Sequence, residues 1–400
     1  MRYFELGTSE VMVLKFAETS TCRTIQFSRR VSIMTKRICL VLFAMWLAPL
    51  IGCSSPSIFS SGSSSHTAYV TLPNSNAVAA LRIKTSVNSS SATSDTVQFT
   101  TIVGSPFPAG SSPGSVLVHP SGKFVYVANR SENDISLFTI NSSIGSLQEV
   151  LPRTTTGLTP LAMVMDSGGN YLFVVNELSN NISVYTINST TGALSAIAGS
   201  PFTTFNNPFT LAITPSGKFL YVLNPNLTSV IAYTVASGVL QPIAGLPIQV
   251  GNGPRAITVD PAGNFVYVVN STDNTVSVLG INSSTGALTL LGSFSTGTTP
   301  TSVVALDPYL YVGNLGSSNI SVFTVTPVTG VLTEITSSPF SAGTAPLFEV
   351  LDPDNLFLYV GSQTANSITA LSIDTTTGAL TATSQSATTE ASPSSMSVAK

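Results

Sequence analysis

Residues 254–290 read PRAITVDPAGNFVYVVNSTDNTVSVLGINSSTGALTL, and their alternation decides the architecture. Arg255 to Val259 alternates and is β-rich, the pattern of a half-buried strand. Asp260-Pro261-Ala262-Gly263 is a tight turn, because Asp bonds nearby backbone, Pro presets φ and Gly accepts a positive φ. Phe265 to Val269 is apolar on both faces, which suits a strand buried between two neighbouring sheets. Thr275 to Leu279 is a third strand, and Asn282 to Gly286 turns the chain into a fourth at Ala287 to Leu290.

The same unit recurs. A proline introduces a short apolar run at Pro113, Pro160, Pro208, Pro254, Pro300, Pro346 and Pro393, at intervals of 46 to 48 residues. A repeat of that size built only from strands predicts an all-β, seven-bladed propeller of four-stranded antiparallel blades. The two ends of the array are incomplete. Tyr69-Val70-Thr71-Leu72 matches a second strand with no first strand before it, and Pro393 to Ala399 is a first strand alone. Pairing the C-terminal strand beside Tyr69 completes one blade and removes two exposed edges.

Only 8% of residues are charged, with Ser, Thr, Asn and Gly supplying the polar surface. Residues 1–52 read as an extension and a leader. Lys36 and Arg37 precede an apolar run from Ile38 to Leu50, followed by Ile51-Gly52-Cys53. A basic start, a short apolar stretch and a small residue at the end describe a secretory signal. Leu50-Ile51-Gly52-Cys53 resembles the bacterial lipobox, so Cys53 is the expected lipidation site and the expected location is the cell envelope. Met1 to Ile33 fits no part of a signal, and Met34 is the expected true start. Residues 53–65 are Ser-rich and read as a flexible tether carrying His66 at its end, and 66–400 read as the propeller. Beyond residue 52 the chain carries 8 Lys/Arg against 15 Asp/Glu, a net charge of −7 that argues against nucleic acid.

In a propeller the loops entering the first strands share one face with the loops between second and third strands. That face is expected to hold Arg130, Glu132, Asp134, Arg153, Glu177, Arg255, Asp273 and Glu390. Arg130, Glu132, Asp134, Arg153 and Arg255 are the expected binding residues, with Arg255 at the channel mouth able to clamp an oxyanion. His119 occupies the turn position held by Asp260 and Asp352 and is expected to be structural. Two histidines far apart in sequence make no zinc set. Asp260, Asp307 and Asp352 each sit in a turn without a nearby acidic partner, so no metal or other cofactor is expected. The recurring Asn129, Asn176, Asn224, Asn270 and Asn314 are expected to bond the loop backbone that follows them. No Gly-x-Ser-x-Gly run joins a strand to a helix as a nucleophile elbow does, and there is no glycine-rich phosphate loop.

FVYVVNSTDNTVSV and FVYVANRSENDISLFTI resemble the YVTN-type propeller repeat and the seven-bladed lactonase family that includes 6-phosphogluconolactonase. That resemblance implies a Gly-Pro-Arg-His run entering a first strand and a second strand ending Asn-Glu. Here Gly253-Pro254-Arg255 is followed by Ala256, Ser271 follows Asn270, and an Asn-Glu pair stands two units earlier at Asn176-Glu177. The scarcity of catalytic residues leads to the expectation of a non-enzymatic binding module, lipid-anchored in the envelope, for a polysaccharide, peptide or protein. The alternative, implied by the resemblance, is a lactone hydrolase in which Arg255 polarises the carbonyl and Glu177 or Asp273 activates water.

Overall fold

Each proline-led run forms the innermost strand of an antiparallel sheet, and the apolar second strands become the cores between sheets. A computed structural model describes residues 62–87, 95–245 and 247–399, with four short strands before them. The chain divides into two units, Met1–Ile58 and Phe59–Lys400. In the first, Tyr3–Leu6 pairs with Glu10–Val13, and Lys15–Thr19 pairs with Cys22–Gln26. Cys53, the apolar run of the leader, Met34 and residues 53–61 of the tether lie outside the described residues.

The second unit is a ring of seven sheets. Blade 5 is typical, with strands Pro254–Val259, Phe265–Asn270, Thr275–Ile281 and Leu288–Ser295 in that spatial order. Blade 1 is composite. Ser395–Ala399 pairs antiparallel with Gly62–Leu72, which continues to Ala77–Val87 and Thr96–Thr101. Ser397 is the register partner of Tyr69, as the closure argument requires. The first of these strands begins at Gly62, so His66 is a strand residue rather than part of the tether. Ser64 and Thr85 share a hydroxyl hydrogen bond of 2.7 Å, which draws the Ser-rich segment into the sheet.

Every second strand serves two cores. Val266 and Val268 pack towards blade 4, while Tyr267 and Val269 pack towards blade 6. Burial at 0% for all four explains why this strand is apolar on both faces. The seam between blades 7 and 1 is filled like the others, with Phe357 and Tyr359 packed against Ala68, Val70 and Leu72. The ring is therefore closed by packing as well as by strand pairing.

A second tie joins the blades. The Tyr126 hydroxyl donates to the Gly192 carbonyl at 2.7 Å, and Tyr69, Tyr221 and Tyr311 donate to Gly145, Gly286 and Gly378 in the same way. Gly192 has φ +75°, and a Cβ there would press into the Phe124 ring of the preceding blade. Both the backbone sign and the close approach require glycine at this turn.

Candidate functional site

The ring leaves a cavity of about 1180 Å³ at the mouth of the central channel. Most of its wall comes from two sets of repeat positions. The inner set is the residue after each repeat proline: Leu161, Phe209, Arg255, Thr301, Leu347 and Ser394 line the mouth. The seventh member, Gly114, is small because the Arg130 side chain occupies the space a Cβ would take. The outer set is the residue that follows each second strand: Pro73, Arg130, Glu177, Pro225, Ser271, Leu315 and Gln363. The second strands end at Leu72, Asn129, Asn176, Asn224, Asn270, Asn314 and Ser362, so the fold projects the next side chain inward.

Arg130, Glu177 and Arg255 are the only charged side chains among these lining residues. The structure therefore brings together three of the charges expected on this face. The Arg255 guanidinium stands over the Phe209 ring, 5.7 Å from its centroid. Such a contact contributes about 0.5–1 kcal/mol at an exposed site, and here it holds the exposed cation at the rim. Burial draws the Arg130 pKa down, while the Glu177 charge on the next blade opposes that change. Several hydroxyls of the wall are committed to backbone. Ser271 donates to the Pro300 carbonyl, and Thr301 donates to the Pro346 carbonyl at 3.1 Å.

The other expected residues lie elsewhere. Asp273 is outside the cavity, where its carboxylate accepts from the Asn252 amide at 2.7 Å and from Asn252 Nδ2 at 3.0 Å. These bonds lower its pKa, so it is a loop cap and a poor proton acceptor. Arg153 pairs with Glu132 and, through Nε at 2.7 Å, with Glu149. Asp134 accepts from Asn129 Nδ2 at 2.7 Å. Glu132 and Arg153 are thus paired with each other, Asp134 is held by Asn129, and none of the three lines the mouth. Sequence reasoning passed over Phe209, Leu161 and Gln363 because they carry no charge, although their repeat register marks them as plainly as it marks Arg255.

The asparagines are structural, with one change from expectation. Asn176 Nδ2 donates to Asn181 Oδ1 at 2.7 Å and to Ser183 Oγ at 2.9 Å, both on the third strand rather than in the loop. Asn129, Asn270 and Asn314 repeat the pattern. Asn224 alone keeps a bond to loop backbone, at Leu227 N and the Asn206 carbonyl. His119 is a turn residue as expected, receiving the Ser121 amide at Nδ1. The expectation that Asp352 lacks an acidic neighbour is corrected, because Asp354 and His66 stand beside it. Ring closure brings His66 there from 288 residues away, beyond the reach of local sequence reading.

The chain matches the family described as "Lactonase, 7-bladed beta-propeller" over residues 9–203 and 211–398. Among solved structures it resembles a protein assigned as a 6-phosphogluconolactonase from Bacteroides fragilis. Identity is 20%, the TM-score is 0.70, and the match covers 86% of this chain and 100% of that one. It also resembles the periplasmic gluconolactonase of Pseudomonas aeruginosa at 18% identity and TM-score 0.69, covering 84% and 99% of the two chains. No curated protein matches the sequence. At these identities the structural likeness establishes the fold.

Proposed function

Because this chain belongs to the lactonase family of seven-bladed β-propellers, we propose that its channel mouth hydrolyses a lactone. Membership overturns the expectation of a non-enzymatic binding module, which rested on the small number of catalytic side chains. Lactone hydrolysis needs few: a base for water and a positive charge for the developing oxyanion.

The observation that carries the reading is the presence of Glu177 and Arg255 on the wall of one cavity. Glu177 takes a proton from water as the water oxygen bonds to the lactone carbonyl carbon. Arg255 stabilises the oxyanion so formed. Collapse breaks the bond between that carbon and the ring oxygen, which receives the proton from Glu177 and leaves as a hydroxyl on the product acid. Arg130 lines the same wall and adds a second positive charge there.

The lipobox-like run before Cys53 supports an exported, lipid-anchored enzyme. The Pseudomonas aeruginosa relative is named as a periplasmic gluconolactonase, so export and this chemistry coexist on the fold. An aldonolactone is accordingly the first substrate to try. Acid release from a panel of lactones, followed in a pH-stat with the purified full chain, tests the reading. Turnover above the spontaneous rate supports it, and none across the panel refutes it. Lipid labelling that fails to mark Cys53 in cells would refute the anchoring.

A further inference from the structure

We infer that His66, Asp352 and Asp354 form a binding site for a divalent transition-metal ion at the seam between blades 7 and 1. Their ligand atoms lie within 4.8 Å of one another, and His66 Nε2 is 2.9 Å from Asp354 Oδ2. One imidazole nitrogen with two carboxylate oxygens is a donor set that suits zinc and its neighbours rather than magnesium.

The repeat supplies its own control. In blades 3, 5 and 7 the turn between first and second strands opens with Asp166, Asp260 and Asp352, each bonding two backbone amides through Oδ1. The third turn position is Ser121, Gly168, Ser216 or Ala262 in blades 2 to 5, and it becomes a carboxylate at Asp354 only in blade 7. The residue three before the aromatic-Val pair of the second strand is Lys123, Asn170, Lys218 or Asn264 in blades 2 to 5, and it becomes His66 in blade 1. Neither change serves the turn itself. The two changes meet only because the ring closes.

The surroundings favour a cation. Asp352 is 1% exposed, and Asp354 sets a second carboxylate beside it, so a cation entering there meets two negative charges. Asp352 Oδ2 accepts a single amide, from Asp354 at 3.2 Å, which leaves capacity for a ligand bond. The Tyr359 hydroxyl is fully buried and has no hydrogen-bond partner. The His66 ring is 9% exposed and its Nδ1 has no partner. In the metal-free chain Nε2 donates to Asp354 Oδ2; an ion entering between the two atoms takes the Nε2 lone pair as that proton moves to the unpartnered Nδ1. Asp354 is exposed, giving an ion a way in and water a place in the remaining coordination positions.

The test uses the full chain, stripped with EDTA and with its three cysteines blocked by iodoacetamide so that thiols do not compete. Zinc chloride is titrated by calorimetry, and thermal unfolding is followed with and without zinc. One bound equivalent and a Tm rise reversed by EDTA are expected, since an ion that binds only the folded chain stabilises it. Asp354→Asn, at an exposed position, is expected to lower zinc affinity at least tenfold and to lose the Tm rise. Each increment is referenced to that variant's own Tm in EDTA. His66→Gln is expected to behave alike. A wild-type chain that shows neither heat nor a Tm shift overturns the site. So does zinc binding unchanged by both substitutions, and an equal shift with magnesium chloride overturns the transition-metal assignment.

Discussion

The Glu349 carboxyl lies against the bare Cα of Gly313, in space that a side chain at position 313 would need. Glu349 stands on the innermost strand of blade 7 and is 7% exposed. Ser302 and the Gly313 amide are close by, yet neither meets hydrogen-bond geometry, and both carboxyl oxygens remain without a partner. Burial pushes the group up to about 7.

That shift fixes a pH dependence. The ordinary value is 4.5 and the folded value is higher, so the unfolded chain releases the proton first as pH rises. The contribution of Glu349 to stability is therefore greatest below about pH 4.5, falls between there and about 7, and is level above. The total loss is on the order of 3 kcal/mol. Glu349→Gln should flatten this segment of a Tm-versus-pH curve. An unchanged slope would show that the carboxyl ionises as freely in the fold as in water.

Gly313→Ala should destabilise the chain by about 1–3 kcal/mol, because a methyl group there overlaps the Glu349 carboxyl. Adding Glu349→Ala should recover much of that loss. Strictly additive effects in urea unfolding would mean the two residues do not share the space.

The tyrosine ties between blades allow a paired comparison. Tyr126→Phe removes a bond to the Gly192 carbonyl and should cost about 1 kcal/mol. Tyr267→Phe removes a buried hydroxyl that has no partner and should be neutral or stabilising. Equal losses at the two positions would contradict the assignment of the bond.

Closure predicts a cooperative effect from a small deletion. Removing Ser392 to Lys400 strips the partner of Gly62–Leu72 and the Met396 packing at the seam. The truncated ring should lose at least 5 °C in Tm and unfold at lower denaturant. A thermal transition matching the intact chain would mean blade 1 holds without its inner strand.

Most of the architecture was readable because it is periodic. The prolines mark inner strands, the doubly apolar runs mark strands shared by two cores, and the orphan strand at Pro393 finds Tyr69. The mouth was half readable: Arg130, Glu177 and Arg255 stood out by charge, while Phe209 and Gln363 held the same register without one. Three features were hidden for different reasons. Ser63 to Ser65 look like tether by composition, yet their backbone pairs with Lys84 to Ser86. Asp273 looked catalytic by its loop, but its oxygens are used up by Asn252. Glu349 replaces the apolar residue found at Val116, Met163, Ile257 and Val303, and Gly313 replaces the larger residue found at Val175 and Val269. Each departure is visible in the sequence, but only the ring shows that they face one another.

Lactone hydrolysis at the channel mouth, with Arg255 on the oxyanion, is the proposal on which the functional reading rests, and kcat/KM for glucono-δ-lactone in wild type and Arg255→Ala decides it. Wild type should turn the lactone over and the variant should lose about 10²–10³-fold, with its Tm unchanged. A wild-type rate no faster than spontaneous hydrolysis, or a variant as fast as wild type, would contradict it.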